Sequence, residues 1–202
     1  MHLSPRIFWG CGFNGSSELN MRPTDKLNGT RLESAHGFSL IELLIVVAII
    51  LIIAAIAVPS FLSARMAANE ASAAASVRSV TTAAVAYSTT YGNGYPPSLV
   101  ALSGGGAATC DLSDLGDPVV TTAPNQKSGY TFAYAGQNVN PAPVPGCLAP
   151  GYVGYLITAV PITFGSSGRR SFCSDTPGVI YYDPTGIAAP TVLACESLQT
   201  LQ

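Results

Sequence analysis

The stretch FSLIELLIVVAIILIIAAIAV, residues 38–58, determines how this chain of 202 residues is organised. After Glu42 it contains sixteen uninterrupted apolar residues, Leu43 to Val58. A helix of this length rises about 31 Å, close to the ~30 Å hydrocarbon core of a bilayer. We therefore expect a membrane helix or the apolar region of a secretory signal, and not a buried helix of a soluble protein. The lysines and arginines before it predict a cytoplasmic N-terminal flank.

The helical pattern continues past the apolar run. From Ser60 to Tyr91 the chain is rich in alanine, and larger or apolar residues recur mostly at three- and four-residue steps, which is typical of an amphipathic helix. These residues are Met66, Ala73, Val77, Val80, Ala84, Tyr87 and Tyr91. Gly92-Asn93-Gly94, with two prolines soon after, gives a stop signal. We predict one helix over 38–91, interrupted only at Pro59, because a proline inside a helix costs ~3 kcal/mol and usually kinks it.

The remainder, residues 95–202, has the composition of strands and turns. Glycine-rich and proline-rich connections occur at 103–106 and 141–145. The strand candidates are Tyr130–Tyr134, Tyr152–Val160, Ile162–Phe164 or Arg170–Cys173, and Val179–Tyr182. The predicted class is α+β: a long N-terminal helix, with a membrane half and an amphipathic half, packed on a small antiparallel sheet.

Composition narrows the function. Charged residues make up 10% of the chain, under half the usual ~25%, and the net charge of −2 offers no basic surface for nucleic acid. No histidine follows His36, so Ser-His and Cys-His catalysis have no candidate base beyond it. No Gly-x-Ser-x-Gly or phosphate-binding loop motif occurs. We expect no enzymatic activity and no cofactor; a Ser-Lys enzyme using Lys127, or a carboxylate-pair enzyme, is a minor alternative.

The segment Gly37-Phe38-Ser39-Leu40-Ile41-Glu42, followed by the apolar run and Pro59, resembles the signature of type IV pilins and type II secretion pseudopilins. The resemblance implies a pilin-like fold and cleavage between Gly37 and Phe38 by a membrane-bound prepilin peptidase. The peptidase would also methylate the new amine of Phe38. The mature chain would have 165 residues (202 − 37). In this family the proline that corresponds to Pro59 bends or locally melts the helix.

Glu42 is the only ionisable residue of the 38–58 stretch. A carboxylate within a membrane costs ~2.5–3.5 kcal/mol even on the milder scales. We expect no partner for it nearby in the same chain, whereas cleavage creates one, the amine of Phe38 in an adjacent subunit. Glu42 and Pro59 are predicted to act in assembly, and the ion pair between Glu42 and the Phe38 amine of an adjacent subunit is predicted to fix the axial register of the filament.

Two rival interpretations of the apolar segment remain open. Ala55-Ile56-Ala57 resembles a conventional signal-peptidase site. Alternatively, residues 38–58 form an uncleaved anchor for a periplasmic binding or enzymatic domain. A leader of 37 residues is also long for the pilin class, and Met21 offers an internal start for translation.

Five cysteines occur, and the proposed cut would remove Cys11. The remaining four are Cys110, Cys147, Cys173 and Cys195. An even number in an exported domain predicts two disulfides, for which three pairings are possible. We favour the sequential pairing as the simplest, with the second bond holding the C-terminal segment on the sheet, as in many pilins. Zinc is the weaker alternative, because there is no C-x-x-C pair.

Two smaller charged groups have mainly structural interpretations. Asp111, Asp114 and Asp117 follow Cys110 with no spacing that matches a known calcium loop, and indicate a solvated loop with a helix-capping aspartate. Arg169 and Arg170 are expected at a solvated edge or a subunit contact.

These observations predict a structural subunit of a type IV pilus or pilus-like filament, with a type II secretion pseudopilin as the alternative. The predicted organisation is a leader (1–37), a transmembrane or filament-core helix (38–58), an amphipathic helical half (59–94) and an exported β-rich domain (95–202). Expected partners are copies of the chain, other pilin-like subunits, the prepilin peptidase, an inner-membrane assembly platform and, before assembly, lipid. The expected location is the bacterial inner membrane, then a pilus, the cell surface or the periplasm.

Overall fold

A computed structural model describes residues 37–141 and 144–201. Helix α1 extends from Leu40 to Tyr91, and its part from Leu44 onwards forms one compact unit with the sheet. Residues 37–43 lie outside that unit and are described by themselves. The predicted leader, including Met21 and Cys11, lies outside the described residues.

Helix α1 runs through Pro59 without a break in its helical residues, and the predicted kink at Pro59 stays a prediction. Proline lacks its own N–H and therefore removes only one bond of the helical ladder. The Pro59 carbonyl accepts a hydrogen bond from the hydroxyl of Ser63 at 3.1 Å. Apolar residues on both sides of Pro59 keep their helical conformation.

A six-stranded antiparallel sheet follows the helix, with its strands in simple chain order. The strands are β1 Gln126–Lys127, β2 Tyr130–Val139, β3 Tyr152–Pro161, β4 Ser171–Asp175, β5 Ile180–Asp183 and β6 Gln199–Thr200. Short helical segments lie at Val100–Leu102 (3-10), at Pro118–Thr121 (α2) and at Val192–Glu196 (α3). The predicted α+β class is confirmed. Of the two alternative strand candidates, the one near Arg170 forms β4, and residues 162–164 lie outside the named strands.

One face of the sheet packs on the amphipathic half of α1. The predicted stripe is buried from Ala73 to Tyr87, and Met66 and Tyr91 are half-buried. Large strand residues supply the opposing surface: Tyr130, Phe132, Tyr155, Ile157 and Phe172. Alanine on the helix allows the backbone to approach these bulky side chains closely, so the core is built from small residues against large ones.

The other face of the sheet carries a smaller cluster. Leu156, Cys173 and Cys195 are buried there, and residues of the C-terminal segment around α3 pack on them. Disulfides join Cys110 to Cys147 and Cys173 to Cys195, with Cα–Cα distances of 5.5 and 6.0 Å. The second bond attaches α3 to β4, so the C-terminal segment covers the sheet face opposite α1.

Candidate functional site

The three described residues that precede α1 are exposed and belong to no helix or strand. Gly37, Phe38 and Ser39 are outside the helix, and Phe38 is 81% exposed. No described residue lies within 4 Å of the position that a Cβ on Gly37 would occupy. The bond between Gly37 and Phe38 therefore lies in an exposed stretch outside any helix or strand, where a protease can reach the backbone.

Glu42 has a partner in its own chain, which corrects the expectation that none is near. The backbone N–H of Ser39 donates to Glu42 Oε2 at 3.0 Å, and the Ser39 carbonyl accepts the N–H of Leu43 at 3.2 Å. This is one half of a capping box, in which a glutamate in the first turn binds a backbone N–H at the helix start. The Ser-x-x-Glu spacing was readable in the sequence and accounts for a helix that begins at Leu40 and not at Phe38. No described residue donates to Oε1.

The N-terminal half of α1 leaves its side chains uncovered. An 18-residue window has a mean hydropathy of 3.3, and none of it is buried. By length and composition alone the helix can cross a membrane, and a signal sequence would meet the same test. Leu44, Ile53 and Leu62 are each more than half exposed. This surface needs a covering of lipid or protein, because exposed apolar area at about 25 cal/mol per Å² is strongly unfavourable in water.

Glu70 attaches the helix to the sheet. Its carboxylate accepts the backbone N–H of Arg169 at 2.8 Å and forms an ion pair with the Arg170 guanidinium at 2.7 Å. Burial works to raise the pKa of Glu70, but these bonds together outweigh it and hold that pKa below its ordinary value. The Arg170 carbonyl accepts the hydroxyl of buried Tyr130 at 2.7 Å. The Arg170 side chain is partly exposed while it pairs with Glu70, and Arg169 is exposed. A solvated edge or a subunit contact for the two arginines therefore stays a prediction.

Asp175 is fully buried at the end of β4, and no described residue donates a hydrogen bond to either of its oxygens. The carboxyl of Glu196 on α3 is near enough to interact with it, and a hydrogen bond between two carboxyls forms only when one is protonated. Burial, and then Glu196, raise the pKa of Asp175 to about 6. Sequence reasoning missed this pair, which the Cys173–Cys195 disulfide brings together.

Two of the three aspartates after Cys110, Asp111 and Asp117, serve local structure. Asp117 accepts the N–H of Val119 at 2.9 Å and so caps α2, and its ion pair with Lys127, at 2.6 Å, lowers its pKa. Asp111 accepts the N–H of Leu148 at 3.1 Å. Within residues 37–141 and 144–201, no group of three or more His, Cys, Asp or Glu residues is placed to hold a metal ion.

Comparison with known families gives one match. Residues 34–58 match the family described as the prokaryotic N-terminal methylation motif. This is the signature of type IV pilins and pseudopilins, so the resemblance seen in the sequence is confirmed. No curated protein and no solved structure matches the chain.

Proposed function

We propose that this chain is a structural subunit of a type IV pilus or pilus-like filament, assembled through its N-terminal helix. The observation that carries the proposal is the methylation motif at 34–58, which coincides with an open chain at Gly37–Phe38 and an uncovered apolar helix. A prepilin peptidase would remove residues 1–37 and methylate Phe38. The apolar helix would then hold the subunit in the inner membrane, with the domain from residue 95 outside the cytoplasm.

The energetics of leaving the membrane explain why Glu42 matters. Lipid tails are as apolar as this helix, so exchanging lipid for sister helices gains little from the hydrophobic effect. Packing and polar contacts must therefore decide the register. Ser39 occupies Glu42 Oε2, and Oε1 has no donor among the described residues. We propose that the Phe38 amine of an adjacent copy donates there, which neutralises a carboxylate that is expensive in an apolar environment.

A type II secretion pseudopilin is the alternative within the same signature. The two disulfides and the 108-residue exported part, 95–202, support the pilus assignment. Either bond would stabilise a domain that works outside the cell, by roughly 3–4 kcal/mol in the chain-entropy model. Either filament would use the same assembly partners, namely further copies of the chain, other pilin-like subunits and an inner-membrane platform.

Shearing surface fibres from cells tests the proposal. We expect the fibres to contain this polypeptide, beginning at Phe38, and Glu42→Ala cells to yield none while still cleaving the leader. Short periplasmic filaments with no surface fibres would favour the pseudopilin. A chain that stays in the membrane with its leader attached, in cells with normal fibres lacking it, would refute the structural role and favour an anchored domain.

A further inference from the structure

A polar cavity of about 220 Å³ lies between α1 and two turns of the sheet domain. Leu62, Arg65 and Asn69 line it from the helix, where spacings of three and four residues place them on one face. Two turns complete the wall, Ser128–Gly129 between β1 and β2, and Ser166–Ser167 after β3. The cavity thus combines one apolar end with one cation and several hydroxyl groups.

Hydrogen bonds hold the walls of this cavity in place, while the Arg65 guanidinium has no carboxylate partner among the described residues. The Asn69 amide donates to the Ser167 carbonyl at 2.9 Å, and the hydroxyls of Ser72 and Ser128 lie 2.9 Å apart. Arg65 is exposed, and no described carboxylate lies within ion-pair distance of it. A guanidinium with five donors and no carboxylate is suited to bind a phosphate group.

The position of the cavity along the helix coincides with the expected membrane surface. Arg65 is the first charged residue after Glu42. From Leu44 to Leu62 the helix rises ~27 Å, close to the thickness of the hydrocarbon core, and Arg65 lies ~4.5 Å further on. With the apolar run spanning the bilayer, Arg65 therefore lies at the depth of the phosphate groups.

The turn beside the cavity also exposes apolar side chains. Phe164 is 60% exposed and Ile162 is 51% exposed, and both are within a few residues of Ser166–Ser167. Aromatic rings are favoured at the boundary between headgroups and acyl chains. An exposed ring, a free arginine and the last apolar residues of the helix thus occur at the same edge of the domain.

We propose that this edge, comprising Leu62, Arg65, Ser128–Gly129 and the 162–167 turn, binds the phosphodiester of a phospholipid in the outer leaflet of the inner membrane. Arg65 donates charge-assisted hydrogen bonds to the phosphate, and Leu62 and Phe164 contact the part of the acyl chains next to the headgroup. The bound lipid holds the domain on the membrane until extraction. The proposal rests on the proposed function, because it requires the helix to be anchored in the bilayer.

Depth-dependent fluorescence quenching tests the contact, because Trp9 is the only tryptophan of the chain. Full chains carrying Trp9→Phe and either Phe164→Trp or Leu148→Trp are reconstituted into vesicles of phosphatidylglycerol and phosphatidylcholine with brominated acyl chains. Leu148 is a matched control, because it is 92% exposed and lies far from the membrane end of the helix. It follows Cys147, which is bonded to Cys110, and the Cys110 carbonyl accepts the hydroxyl of Tyr87 near the end of α1. Phe164→Trp should lose most of its emission, and Leu148→Trp should keep it. Equal emission from both would overturn the proposal.

Native mass spectrometry of the detergent-extracted chain tests the role of Arg65. Arg65→Gln should retain about tenfold less phospholipid than the unsubstituted chain, since a charge-assisted bond is lost. Arg78→Gln, an exposed arginine further along the same helix, should retain it normally. Equal retention by both variants, or displacement of the lipid by excess inorganic phosphate, would overturn the proposal. Vesicle flotation distinguishes failure of the lipid site from failure of the proposed function, because a chain that does not float with vesicles contradicts the membrane anchor itself.

Discussion

Replacing Asp175 by asparagine should stabilise the folded domain at neutral and alkaline pH. The carboxyl is fully buried without a described donor, and Glu196 is the acidic group beside it. The phenols of Tyr155 and Tyr181, on the neighbouring strands, also interact with it but stay neutral in this pH range. An asparagine of the same shape carries no charge and can donate to the Glu196 carboxylate.

The magnitude follows from the pKa. The folded chain keeps the Asp175 proton up to about pH 6, whereas an unfolded chain releases it near 3.8. Stability from this group is therefore complete below pH 3.8 and is lost as pH rises through about 6. Two pKa units correspond to about 3 kcal/mol. Glu70 and Asp117 have lowered pKa values, so their contribution to stability is lost as the pH falls. That loss occurs only below their ordinary pKa values of 4.5 and 3.8.

Thermal unfolding of the full chain in detergent, followed by the near-ultraviolet circular dichroism of its tyrosines, measures this effect. Between pH 4.5 and 6 the unsubstituted chain should lose stability. The melting temperature of Asp175→Asn should stay constant over that interval and be about 10 °C higher than that of the unsubstituted chain at pH 8. The reason is that 1 kcal/mol of stability shifts the melting temperature of a domain by several degrees. Asp114→Asn, at an exposed position, is the control. A variant that melts lower than the unsubstituted chain at pH 8 would refute the reasoning.

Three further predictions concern assembly and the two ends of the domain. Glu42→Gln should abolish filaments, with the leader still removed on a gel, because the amide cannot form an ion pair with a neighbouring amine; normal filaments would contradict the role. Glu70→Gln should lower the free energy of unfolding by about 2 kcal/mol, measured in urea, because Arg170 loses its carboxylate; an unchanged midpoint would show that the ion pair contributes nothing. Replacing Cys173 and Cys195 together by alanine should lower the same free energy by about 3 kcal/mol and expose the C-terminal segment to protease, since the bond closes a loop of 22 residues; protease resistance would contradict that attachment.

Much of the fold was predictable because its signals are local and periodic. The apolar run and the stripe from Ala73 to Tyr87 predict the helix, and Gly92 predicts its end. The central strands have aromatic and β-branched residues between clear turns. β1 and β6 were missed because two residues are too few to show a period.

What the sequence did not predict depends on contacts between distant residues. Glu70 and Arg170 are 100 residues apart, so nothing local marks their ion pair. Asp175 and Glu196, 21 residues apart, lie beside each other where the Cys173–Cys195 disulfide joins β4 to α3. The hydrogen bond from Ser39 to Glu42 is a local contact, and its Ser-x-x-Glu spacing is visible in the sequence. It was missed because the carboxylate was assigned to an intermolecular partner instead.

The most direct test of the account is the mass and N-terminal sequence of the chain isolated from filaments or membranes. The account predicts a polypeptide of 165 residues (202 − 37) that starts at Phe38 with one methyl group on its amine. A chain that starts at Val58, or that retains residues before Phe38 and still polymerises normally, would contradict it.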